Sequence, residues 1–107
     1  MESMTAERLQ QEIDELTGWK YILISGRMEK DAKFPDFWKI DHSLNGFYTI
    51  SGPDFITFGE KLQVEQKGDG FFAIKITNKS SDERDLVGYV YIKHVYKITV
   101  NTPEASA

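Results

Sequence analysis

From Leu86 to Val100 the chain reads LVGYVYIKHVYKITV, and its side chains sort into two alternating sets. Val90, Ile92, His94, Tyr96, Ile98 and Val100 fall in one; Tyr89, Tyr91, Lys93, Val95, Lys97 and Thr99 fall in the other. β-branched and aromatic residues fill both sets, with no Pro or Asp between them, so the pattern predicts one long strand. The first set is mostly apolar and is expected to face a core. The second mixes tyrosines with lysines and is expected to be partly wet.

The rest of the chain is read around that strand. Thr5 to about 17 predicts a helix: Thr5 is a suitable N-cap, Glu7 lies in the first turn, and Leu9, Ile13 and Leu16 form one apolar stripe. The stripe is narrow, so the helix covers a surface. After Gly18 the period changes to alternation. Strands are predicted over Trp19–Met28, around Trp38–Asp41, and over Phe47–Ser51, Phe55–Phe58, Lys61–Gln66 and Phe71–Asn78. Phe34-Pro35-Asp36-Phe37 reads as an irregular aromatic loop, because Pro35 disfavours a central strand. Asn45-Gly46 and Lys67–Gly70 read as turns, Gly59 as a bend, Lys79–Asp85 as a mobile polar loop, and 102–107 as a frayed tail.

One helix and six or seven strands at hairpin spacing predict a single α+β domain over 1–107. Its antiparallel sheet is strongly bent or forms a small β-barrel plugged by the helix. No second helix is available for a parallel crossover.

Composition adds bounds. The 107 residues are 40% hydrophobic, 28% charged and 13% aromatic, which is ordinary globular usage with a generous aromatic supply. The net charge of −4 argues against a dedicated nucleic-acid binder, although a local basic patch is compatible with it. The absence of cysteine excludes disulfides and thiol catalysis. The polar opening MESMTAERLQQE does not read as a secretory signal, and no run is long enough for a membrane span, so the cytoplasm is the expected compartment.

Chemistry-bearing residues are sparse. His42 and His94 have no metal-ligand spacing behind them, and Asp41, His42 and Ser43 are adjacent residues that cannot form a relay on a strand. The Gly68-Asp69-Gly70 stretch lacks the lysine and helix of a phosphate cradle. No catalytic residue, cofactor or metal is expected. The binding candidates are Phe34, Phe37 and Trp38, as a protein-contact cluster or pocket mouth, and Tyr89, Tyr91, Lys93 and Lys97, as an aromatic and cationic face joined by Lys75.

Tyr91-Ile92-Lys93-His94-Val95, followed by Ile98 and Val100, resembles the C-terminal signature of bacterial Sm-like RNA chaperones. The resemblance implies a helix before a bent sheet and a role for Lys93 and His94 at RNA. It covers about ten residues, Ile92 interrupts the spacing, and the first motif of that family has no counterpart between Trp19 and Gly59.

The expected function is therefore that of a small non-catalytic binding protein that contacts another protein, as adaptor, inhibitor or immunity-type proteins do. The alternatives are an Sm-like or other small-barrel protein for RNA or single-stranded DNA, and a barrel for a small apolar ligand. The length of the last strand also predicts a homo-oligomer joined through Tyr89–Lys97.

Overall fold

The computed structural model describes residues 4–16, 20–27, 35–43, 45–52, 55–80 and 83–101. Gly18, Trp19, Phe34 and the tail 102–107, to which the sequence assigns roles, lie outside the described residues.

Helix α1 spans Ala6–Asp14. Its Thr5 cap accepts the Arg8 N–H at 3.1 Å, satisfying one of the first-turn donors that no helical carbonyl reaches. Leu9, Ile13 and Leu16 are buried, as the stripe predicts. Eight antiparallel strands follow: β1 (Tyr21–Arg27), β2 (Pro35–His42), β3 (Tyr48–Ser51), β4 (Ile56–Gly59), β5 (Lys61–Gly68), β6 (Phe71–Ser80), β7 (Glu83–Ile92) and β8 (Lys97–Asn101). They form a five-stranded sheet in the order β4-β3-β2-β1-β8 and a three-stranded sheet in the order β5-β6-β7.

The class is the predicted α+β, with eight strands among the described residues in place of six or seven. The ladders do not close into a barrel. Pairing stops at two corners where the chain passes from one sheet to the other. At the first, Gly59 lies so close to the Ile76 side chain that a Cβ would collide with it, and the Glu60 N–H turns to the Thr77 carbonyl at 3.0 Å. At the second, the expected single strand is divided. β7 ends at Ile92 and β8 begins at Lys97, with His94 between them at φ 56. The break is made by tertiary hydrogen bonds. The Val95 N–H donates to the Gly70 carbonyl at 2.9 Å and the Tyr96 N–H to the Ser25 carbonyl at 3.0 Å. His94 and Tyr96 are consequently exposed, while Val95, expected on the wetter face, is half-buried against the core.

Two other expectations change. The aromatic segment is strand from Pro35 onward, the proline standing first in β2 where a missing N–H costs least. The polar stretch Lys79–Asp85 is mostly ladder: Lys79 pairs with Arg84 and Ser80 with Glu83, while Ser81 and Asp82 lie outside the described residues.

The two sheets and the helix enclose one hydrophobic cluster. Ile22, Ile24, Trp38, Ile40 and Ile50 come from the inner face of the five-stranded sheet. Leu62, Phe72, Ile74, Ile76 and Ile92 come from the three-stranded one, Leu9 and Ile13 from α1, and Leu16 from just past its C-cap. Registers explain the match: Ile24 faces Trp38 and Ile98 across its two ladders, and Ile74 faces Val64 and Val90.

Candidate aromatic and cationic binding face

Because Phe72, Ile74, Ile76 and Ile92 point inward, alternation sends their neighbours to the outside of the three-stranded sheet. Registers then place Lys61 beside Thr77 and Leu86, Gln63 beside Lys75 and Tyr89, and Glu65 beside Ala73 and Tyr91. Phe71 and Lys93 complete the face at its far end. Tyr89 is 48% and Tyr91 54% exposed. Their rings lie 6.2 Å apart and 21° from parallel, and the Phe71 ring is 6.2 Å from Tyr91. Three rings therefore make a continuous aromatic strip across β6 and β7. Ala73, between Glu65 and Tyr91, leaves room for the larger side chains over it and is itself buried.

Cations border the strip. Lys93 Nζ stands 5.2 Å from the Phe71 ring centre, a cation–π contact. Lys67 Nζ donates to Glu65 Oε1 at 3.0 Å; that hydrogen bond, and the Glu65 charge after it, hold its ammonium above the usual lysine range. Lys61, Lys75 and Lys93, with Lys67 at the bulge between Gln66 and Gly68, thus border the strip, and Glu65 is the one carboxylate among the described residues at these positions. In a chain of net charge −4 this is a segregated basic surface.

The structure brings together Tyr89, Tyr91 and Lys93 of the sequence-derived candidates, and Lys75 with them. It separates Lys97, which pairs with Ser25 in the other sheet. Trp38, 9% exposed, packs in the core, and Phe37, 52% exposed, lies on the outer face of the five-stranded sheet. Phe34 lies outside the described residues. Phe71, Lys61 and Lys67 were not singled out in the sequence, although the inward register of Phe72 and Ile74 already assigns Phe71 to the outside.

The His42 and Tyr48 rings lie 4.4 Å apart and tilted by 38°, and the Tyr48 hydroxyl donates to the Ile13 carbonyl at 3.4 Å. Burial, and secondarily the Asp14 charge, push the Tyr48 hydroxyl above the usual tyrosine range. This group ties β3 to the helix. Among the described residues no cluster of His, Asp and Glu could hold a metal ion, and no helix is long and apolar enough to cross a membrane.

Comparison with protein-family models, curated proteins and solved structures found no match.

Proposed function

We propose that the protein is a non-catalytic binding domain that holds single-stranded nucleic acid on the outer face of β5, β6 and β7. The observation that carries this reading is the strip Phe71–Tyr91–Tyr89 bordered by Lys61, Lys67, Lys75 and Lys93. Exposed rings stack bases whatever their sequence, and lysines beside them hold phosphates. Lysine is depleted at protein–protein interfaces, where arginine is the favoured cation, so this composition suits phosphate better than a protein surface. Tyr89 and Tyr91, both about half exposed, stand open to a chain crossing the face.

Fluorescence anisotropy with a labelled single-stranded RNA tests the reading. Binding is expected to weaken with salt, and Tyr89→Ala with Tyr91→Ala to cost about 1–3 kcal/mol for each base unstacked. Lys75→Glu is expected to weaken binding and flatten the salt slope by about one phosphate's worth. Affinity unaffected by both changes would reject it.

Contact with another protein, the first expectation from the sequence, is favoured at a different place. Phe37, Ile56 and Phe58 are all more than half exposed on the outer side of the five-stranded sheet, beside Leu23 and Tyr21. A pull-down lost on Phe58→Ser and retained on Tyr91→Ala supports that reading. Self-association is a further use of β7, whose second edge carries no strand among the described residues.

A further inference from the structure

The β7–β8 crossing, the tip of the β5–β6 hairpin and the start of α1 surround a cleft of about 810 Å³. Its volume lies in the range of small-molecule sites, about 300–1,000 Å³. Its lining is divided in kind. Phe72 belongs to the buried core, and Met4, Val95 and Ile98 pack against that core, so the apolar side of the cleft is an extension of the protein interior. The polar side carries Arg8 from α1 and His94 and Lys97 from the β7–β8 crossing, with Asp69 the one carboxylate lining it among the described residues. Arg8, whose Nε also pairs with Glu12 at 3.5 Å, and Lys97 are the two cations lining the cleft, in a chain of net charge −4.

The crossing that supplies His94 and Lys97 is held in an unusual backbone form. His94 adopts φ 56, a left-handed conformation uncommon for a residue with a Cβ, though histidine takes it more readily than most, and such residues gather at ligand clamps. The hydrogen bonds of Val95 to Gly70 and Tyr96 to Ser25 impose it here. Their effect is to turn His94 and Lys97 to the cleft instead of continuing β7.

We infer that this cleft binds a small amphiphilic anion: a carboxylate whose apolar body rests on Phe72, Val95 and Ile98 and whose charge meets Lys97 and Arg8. The apolar floor supplies no partner for a bare inorganic anion, and the cations give an uncharged apolar molecule no advantage. The site is separate from the aromatic strip and stands whether or not nucleic acid binds there.

The test is titration calorimetry of the whole protein with decanoate, 1-decanol and acetate, together with amide chemical shifts. Decanoate is expected to saturate one site and to shift the amides of Gly70, Val95 and Tyr96. Decanol and acetate are expected to bind at least about tenfold more weakly. Lys97→Glu, and separately Arg8→Gln, are expected to weaken decanoate by about tenfold, as losing one charge-assisted contact does, while Lys75→Glu on the aromatic face leaves it unchanged. Equal binding of decanol would reduce the cleft to a non-specific apolar patch, and equal binding of acetate to a bare anion site; either overturns the inference. So do amide shifts elsewhere, or decanoate affinity unmoved in both cleft variants.

Discussion

Gln10 stands beside Val64 in the place of a neighbouring strand. Its Oε1 accepts the Val64 N–H at 2.7 Å, and its Nε2 donates to the Leu62 carbonyl at 3.0 Å. The primary amide thus reproduces the donor and acceptor of a ladder residue against the outer edge of β5. Gln10→Ala returns both backbone groups to a partly covered edge without a partner. The expected cost is about 1–2 kcal/mol in urea unfolding.

Ile13 is wholly buried where the helix meets the sheets. A nine-residue helix is too short to persist alone, so its formation depends on this docking. Ile13→Ala is expected to lower stability by about 2–4 kcal/mol. An unchanged denaturation midpoint would show that the helix contributes little to the fold.

How much of this was legible follows from where the information resides. The Leu9, Ile13 and Leu16 stripe and the Thr5 cap are local, and they located the helix and its start correctly, although it ends at Asp14, earlier than the expected 17. The inward and outward sets of β6 and β7 are also local, so Tyr89, Tyr91 and Lys93 could be grouped in advance. The break after Ile92 was not legible, because no Gly or Pro marks it. It depends on Gly70 and Ser25, both remote in sequence, and Lys97 was misplaced as a result. The Gln10 edge cap was invisible for the same reason.

Gly70 sits at φ +65 with the Val95 carbonyl oxygen 2.9 Å from where a Cβ would stand. Gly70→Ala must therefore strain the backbone and push on the crossing together. A loss of about 1–3 kcal/mol is expected. Faster hydrogen exchange at the Val95 amide would locate the damage at this contact.

The raised Tyr48 hydroxyl carries a pH dependence. A group that holds its proton more tightly when folded stabilises below its unfolded value, about 10 for tyrosine, and that contribution is lost as pH rises through the higher folded value. Melting temperature is expected to fall from about pH 10 upward. In Tyr48→Phe, which has no proton to lose at that position, the alkaline fall should be shallower. Parallel curves for the two proteins would mean that Tyr48 ionises alike in both states.

For self-association the exposed residue on β7 to change is Val87, at the bulge opposite Thr77, and not the half-buried Val95. Light scattering is expected to show a concentration-dependent dimer that Val87→Lys shifts towards monomer, since lysine on an edge strand opposes pairing. A native protein monomeric throughout would remove β7 as an assembly edge.

The pairing of β1 with β8 joins Tyr21 to Asn101 and Ile24 to Ile98. A polypeptide leaves the ribosome from its N-terminus, so β1 meets β2 early and must wait for β8 until nearly all the other strands have been made. During that interval the backbone edge of β1 from Tyr21 to Ser25 is a template open to any passing strand, while Ile22 and Ile24 on its inner face await their cover. Closing a ladder between such distant segments is also slow in itself. The seam between β1 and β8 is therefore the point in the life of this protein at which a nascent chain is most exposed to mispairing, and the bend at Lys93–Tyr96 is what delivers the strand that ends it.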